Sequence, residues 1–390
     1  MKTLRRAWRL FWDRTDWLLM LPSVGLSGLG IVLMMGLYQS QHIGILRLTR
    51  SNIVNQGAAL ALGIVLALIL ANINYRALVD KWALYVPAAY LVFLATFLWG
   101  VAPPGRPDAI RWLIVPIPGT TGVSIQPSEF LKLAFIITFA FHAYKTQERF
   151  NRPLNIILML IHAAVPVVLV QLQGDSGTAL MFAVIFLSMM FVAGIKWYYM
   201  AGAVATVPAV AYILWEFVLS EMQQNRVLGL LGQAPADGSA DPTFQPRLAA
   251  AAIAGGGMTG NGIFNPSPAY VPEMHNDFIF AFIADSLGFL GCAAVIAVIT
   301  ALGARILFVC GAAGEKQGQV ICAGVFAMIF GQSALNICMV MSLLPVIGNS
   351  LPFISSGGSF VLANFLGIGL VMSVHKHTKK RVKTESFLPG

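Results

Sequence analysis

The chain has 390 residues, of which 57% are apolar and only 11% charged, with a mean hydropathy of +0.76 and a formal net charge of +9. So little charge cannot cover a water-facing surface, which excludes a soluble globular protein and leaves lipid as the main solvent. A membrane β-barrel is excluded too, because it needs short stretches alternating apolar and polar residues, and the long runs here are apolar on every side.

The opening MKTLRRAWRLFWDRTDW interleaves Trp8, Phe11, Trp12 and Trp17 with basic residues, and no small-residue cleavage site follows the first apolar run. It reads as a retained interfacial helix on the inner leaflet. A hydrocarbon core of roughly 30 Å asks for about 20 apolar residues per helix, and about ten such runs follow. They are expected at 17–38, 56–73, 83–102, 128–144, 154–171, 178–194, 200–219, 279–303, 319–344 and 359–375, with the pair over 154–194 short enough to be tilted or broken. The expected fold is therefore an all-α polytopic membrane protein. A basic cytoplasmic segment (1–16) leads into one transmembrane domain (17–375), and a basic cytoplasmic tail (376–390) follows.

Cytoplasmic loops carry the excess of Lys and Arg. Placing the N-terminus inside assigns most of the 25 basic residues to that side, from Lys2, Arg5 and Arg6 through Arg76, Lys81, Lys145, Arg149, Arg305 and Lys316 to the cluster at Lys376–Lys383. Arg47, Arg50, Arg106, Arg111, Arg226 and Arg247 fall outside. Both termini are thus expected in the cytoplasm, and the positive charge serves topology and anionic membrane lipids rather than a nucleic acid. The four cysteines, Cys292, Cys310, Cys322 and Cys338, have no CxxC or His pairing and predict neither a disulfide framework nor a zinc site.

Two outward segments are long enough to hold chemistry: 103–127, and 220–278 between the seventh and eighth helices. The second starts with the polar EMQQNR, passes through APADGSADPTFQP and the glycine run AGGGMTGNGIFNPSP, and ends in YVPEMHNDF. The glycine run follows no strand and lacks the Lys-Ser/Thr ending of a P-loop.

Charged residues within membrane helices are costly and therefore candidates. Glu129 and Lys132, in QPSEFLKL, share one helix face and can neutralise one another, as a structural pair or as the lining of a polar cavity. Asp175, in QLQGDSGTAL, is either a helix cap or a substrate contact. PEMHNDF gathers Glu273, His275 and Asp277 just before an apolar run, where Asp277 could serve only as a cap. Arg111, Arg226 and Arg247 are outward cations able to hold phosphate.

Arg111–Trp112, QPSEFLKL (126–133), DSGTAL (175–180), NRV (225–227), DPTFQ (241–245), GGGMTGNGIFN (255–265), PEMHNDFIFAFIADSLGFLG (272–291) and the run from Asn336 through LPFISSGGSF to 370 occur in this order. Together they resemble the shape, elongation, division and sporulation family of peptidoglycan polymerases along nearly the whole chain. The resemblance implies polymerisation of lipid II, the undecaprenyl-diphosphate-linked disaccharide-pentapeptide, on the outer face of the bacterial cytoplasmic membrane. Asp277 matches the family's essential acidic residue and is assigned as general base. Glu129 and Lys132 match its central-cavity pair, and Arg111 and Trp112 match a loop motif that implies substrate or partner contact.

Arg226, Arg247, Lys132 or a bound divalent cation would balance the departing diphosphate, and His275, Glu273 and Asp175 complete the candidate substrate-binding set. No protein metal site is assigned. The resemblance also implies a class B penicillin-binding transpeptidase as partner; the chain lacks the SxxK, SxN and KTG pattern of a crosslinking enzyme, so crosslinking must come from elsewhere. Departures from the family pattern fall at Gly174, at Leu248 and Ala249, at Asp285–Gly288 and at Ser356, and they leave a subfamily unassigned. A lipid II flippase or a non-catalytic scaffold are the alternative readings.

Overall fold

Long runs without polar interruption must satisfy every backbone N–H and C=O within one segment once lipid replaces water, and the helix is the local way to do so. The computed structural model describes residues 15–39, 48–102, 110–116, 123–231, 233, 243–265 and 271–385. The interfacial segment with Trp8, Phe11 and Trp12, the loop cations Arg47 and Arg106, all of APADGSADP and the end of the tail lie outside the described residues.

In chain order the helices are α1 (Trp17–Gln39), α2 (Arg50–Asn72), the short α3 (Tyr75–Asp80) and α4 (Trp82–Trp99). A two-stranded antiparallel hairpin, β1 (Leu113–Val115) with β2 (Val123–Ile125), then precedes α5 (Pro127–Lys145). Next come α6 (Pro153–Leu172), α7 (Ser176–Ala193), α8 (Trp197–Phe217), α9 (Glu221–Leu230), α10 (Phe244–Gly256) and α11 (Ile279–Ala312). The chain closes with α12 (Lys316–Val340, with a π-turn at Ala327–Gly331) and α13 (Gly358–Glu385).

Among the described residues nine helices are long and apolar enough to cross a membrane. Helix α5, 19 residues long, is not among the nine, because Glu129, Lys132 and the polar ends lower its hydropathy. It is nevertheless the centre of the bundle: nearly every residue from Pro127 to Ala140 is buried, including the pair itself. Helix α8 is the opposite case, with no buried residue along its 21. Its side chains are apolar nearly all round, with Glu216 only at its last turn, as lipid requires.

One end of the bundle is closed by ion pairs. Arg305 grips Asp16 with Nη2 at 2.8 Å and Nε at 3.1 Å, while His375 Nε2 lies 3.8 Å away, tying the start of α1 to α11 and α13. Arg76 Nε meets Glu315 at 2.6 Å, and Lys316 Nζ donates to the Val192 carbonyl at 3.1 Å. The other end carries the hairpin, α9, α10 and the turns over 271–278 and 341–357.

The segment 220–278, expected as a loop, contains two helices. Helix α9 begins with a capping box in which Ser220 and Gln223 satisfy each other's backbone donors, which explains why so polar a stretch is helical. The glycine run after α10 fills a break in α11. Gly288 leaves helical geometry (φ 66°, ψ −166°), which strands backbone groups on both sides of it. The run supplies the partners: Asn261 N donates to Asp285 O at 2.8 Å and Gly262 N to Ser286 O at 3.0 Å, while Gly257 O accepts from Phe289 N at 2.9 Å and Met258 O from Leu290 N at 3.1 Å.

This close approach needs a bare Cα at Gly260, whose φ is +79° and where a Cβ would run into the Ser286 carbonyl. Gly255, in the same run but helical, has open space around its Cβ direction. Gly260→Ala is therefore expected to cost about 2 kcal/mol or more, and Gly255→Ala to be neutral or slightly stabilising. Melting of the detergent-solubilised variants checks both, and equal Tm values would show that the run does not plug the break.

Candidate active site

A connected polar array starts inside the bundle. Glu129 and Lys132, one turn apart at the start of α5, pair at 2.9 Å with side chains 6% and 1% exposed. Burial at this depth is tolerable because the charges cancel and the ammonium has a further acceptor, Gln332 Oε1 of α12, at 3.1 Å. The Phe360 ring lies 5.7 Å from Lys132 Nζ.

From Gln332 the array continues outward. Its Nε2 donates to the Ser350 carbonyl at 3.3 Å, and Ser350 Oγ donates to Asp277 Oδ1 at 3.2 Å. Asp277 is half-buried, at the mouth of the array. It does not cap α11: the residue at that position is Phe278, which makes no side-chain cap. Its carboxylate accepts a hydrogen bond from the Ser350 hydroxyl.

The turn that carries Asp277 is stapled from behind. Asn336 Nδ2 donates to the Asp277 carbonyl at 2.7 Å, Ser355 Oγ to the Asn276 carbonyl at 2.7 Å, and Ser356 N to the His275 carbonyl at 3.0 Å. Gln56 of α2 bridges Ser355 O and Gly357 N, both at 3.0 Å. The LPFISSGG segment therefore acts as a backbone clamp. Buried polar atoms remain around it: Asn336 Oδ1, Asn349 Nδ2 and His275 Nδ1 have no hydrogen-bond partner among the described residues. Such orphans mark places where a ligand or water can bond. Burial holds the His275 imidazole below its usual range, against the opposing field of Glu273. Glu273 itself is exposed in a turn at φ +58°, its Oε2 accepting from Asn276 Nδ2 at 2.7 Å.

A second cluster lies beside the first. Asp175 caps α7 by accepting from Thr178 N and Oγ1 at 3.2 and 2.9 Å, and it also pairs with Arg111 Nη1 at 3.0 Å and accepts from Gln126 Nε2 at 3.2 Å. The cap expected from the sequence is there, but the carboxylate has an ion-pair partner as well. Trp112, half-buried, continues this link through a backbone bridge to Val101. Arg226 donates from Nη1 to the Val346 carbonyl at 2.9 Å, in a cleft lined also by Gly174, Ser176, Gln223 and Ile347. Arg247 stands exposed on α10.

Thus Glu129, Lys132 and Asp277 form one array, Arg111 and Asp175 form a pair next to it, and Arg226 reaches the 345–350 segment between them. Gln332 and Gln56 lie outside the motifs read from the sequence, and Asn336 and Ser350 enter there only as members of the run 336–370, with no role of their own. The polar pair Gln332 and Asn336, four apart in an apolar helix, was the available signal.

This fold and site define a class: a multi-pass helical membrane protein with a carboxylate-centred polar site at one end of the bundle. The chain belongs to the FtsW/RodA/SpoVE family, described as cell cycle proteins, whose match spans residues 17–380. Among curated relatives it is similar to the peptidoglycan glycosyltransferase MrdB of Escherichia coli K12, at 32% identity over 342 residues covering 83% of this chain and 86% of the relative. It is also similar to a probable peptidoglycan glycosyltransferase FtsW of Trichlorobacter lovleyi, at 28% identity and 96% coverage of both.

Of solved structures, a chain from a peptidoglycan synthase complex that coordinates polymerization and crosslinking superposes with a TM-score of 0.74 at 25% identity, covering 93% of this chain and 98% of that one. Rod shape determining protein RodA of Thermus thermophilus gives 0.64 at 22% identity, with 92% and 96% coverage.

Burial alone would push the Asp175 carboxyl up, but Arg111 and the Thr178 donors outweigh it and hold the carboxyl below its usual range. A carboxylate depressed on folding stabilises fully above its unfolded pKa, and that contribution is lost as pH falls through the depressed value. Arg111→Gln should therefore destabilise by about 3 kcal/mol, because it strands a buried charge. Arg111→Gln combined with Asp175→Asn should recover part of that loss. Melting curves at neutral and acidic pH check this, and acidification should narrow the gap between parent and Arg111→Gln.

Proposed function

We infer that this chain is a peptidoglycan glycosyltransferase that polymerises lipid II at the outer face of the bacterial cytoplasmic membrane. The observation that carries the reading is the half-buried Asp277 carboxylate, joined by hydrogen bonds to a buried Glu129–Lys132 pair, in a chain whose relatives are named for that activity.

The chemistry asks for one base. Asp277 accepts the proton of the acceptor sugar's 4-hydroxyl as that oxygen bonds to the donor's anomeric carbon. The anomeric carbon–oxygen bond to undecaprenyl diphosphate breaks with inversion, and the diphosphate departs with the bonding pair, needing cations more than a proton donor. In this reading Arg226, at the cleft by Val346, takes that role, and exposed Arg247 on α10 assists from the same end. Lys132 is committed to Glu129 and Gln332 and acts from within. Among the described residues no three His, Cys, Asp or Glu side chains converge. A divalent cation would accordingly be held mainly by diphosphate oxygens, where it would offset their charge.

The partner is a transpeptidase of the class B penicillin-binding type, which supplies the crosslinking chemistry this chain does not carry. With the site end outward, the hairpin and the α9–α10 segment present the accessible surface to it.

Glycan-strand formation from purified lipid II tests the assignment, with the full chain and Asp277→Asn each measured with and without a transpeptidase partner. The variant is expected to lose at least about 100-fold while keeping the parent's melting behaviour. Equal polymer from both would remove Asp277 from the chemistry. No polymer from the parent under either condition would favour a flippase or a scaffold.

A further inference from the structure

Two side chains, Gln332 and Ser350, make the link between the buried ion pair and Asp277. Gln332 is 3% exposed, and its orientation is fixed by chemistry: Lys132 can only donate, so the amide oxygen must face it. The amide nitrogen then points to the Ser350 carbonyl. Ser350, next along, turns its hydroxyl onto Asp277 Oδ1. Every link donates in the same direction, from ammonium to amide oxygen, from amide N–H to carbonyl, and from hydroxyl to carboxylate.

The backbone of α12 is built for this. The π-turn at Ala327–Gly331 lies immediately before Gln332 and inserts extra residue length into the helix, so the face presented beyond it is rotated from where a continuous α-helix would place it, by roughly 100° per inserted residue. With that rotation Gln332 reaches Lys132, and Asn336, four residues on, reaches the Asp277 carbonyl.

We propose that Gln332 and Ser350 are positioning residues that hold the Asp277 carboxylate in register with the buried Glu129–Lys132 pair, an inference that rests on the polymerase reading. Neither contacts the sugar. Their effect falls on the rate of the chemical step rather than on substrate affinity.

The test uses the full-length protein and purified lipid II, with Ser350→Ala, Ser350→Thr, Gln332→Leu and the Ser350→Ala/Gln332→Leu double variant. Ser350→Ala and Gln332→Leu are each expected to lower kcat about tenfold or more, the worth of one hydrogen bond in a charged array. KM should stay within about twofold of the parent. Ser350→Thr, which keeps the hydroxyl, should retain most of the rate, and the double variant should lose no more than its worse single because both cut one line. Should Gln332→Leu fail to fold, the comparison of alanine with threonine at 350 decides alone.

Parent-like kcat in Ser350→Ala, equal losses in Ser350→Ala and Ser350→Thr, or a raised KM at unchanged kcat would each overturn the relay. If the parent polymerises and Asp277→Asn does not while Ser350→Ala matches the parent, the relay alone falls. A parent that makes no polymer overturns the polymerase reading and the relay with it.

Discussion

The Glu129–Lys132 pair is the constraint around which the bundle is arranged. Two charges near the core of a membrane protein are tolerated only if each neutralises the other and their remaining hydrogen-bonding capacity is met. That requirement surrounds α5 with α12, which supplies Gln332, and brings up Phe360 at the start of α13. An apolar helix in the same place would pack as well, but it would fix nothing about what lies beyond it. The pair gives the bundle a polar axis, and the turn with Asp277 lies at its end.

The ends of the molecule divide the remaining work. At one, Asp16 pairs with Arg305 and Arg76 with Glu315, tying helices together with charge-assisted bonds. At the other, the contacts are mostly neutral and run from side chain to backbone: Asn336, Ser355 and Gln56 hold carbonyls and amides rather than charges. Such clamps fix the path of the chain without competing electrostatically with an anionic substrate. The Arg111–Asp175 pair is charged, and it stitches the segment before the hairpin to the start of α7.

Much of this was legible in the sequence, because lipid imposes a simple rule that hydropathy reads directly. The spanning helices fall close to where the apolar runs place them, and the spacing of Glu129 and Lys132 predicts their pairing. What escaped was set by longer-range geometry. Helix α9 is short and polar, and only the Ser220–Gln223 capping box betrays it. The π-turn in α12 has no periodic signature, so the inward aim of Gln332 and Asn336 could not be derived from spacing. Ser350 reads as a loop serine until the fold sets it beside Asp277. Asp175 was readable as a cap, but its second partner is Arg111, far away in the chain.

The way the glycine run fits into α11 bears on how the molecule is made. The break at Gly288 receives a segment that precedes it by roughly thirty residues, so during synthesis the run emerges before its receptor exists. The amides of Asn261 and Gly262 gain their partners at Asp285 and Ser286 only once that part of α11 has been made. The segment that carries Asp277 lies between the two partners and is closed into a loop when they meet. The active end is therefore assembled late, by a docking event within the chain, and biogenesis factors that act on it would have to do so after α11 has been inserted.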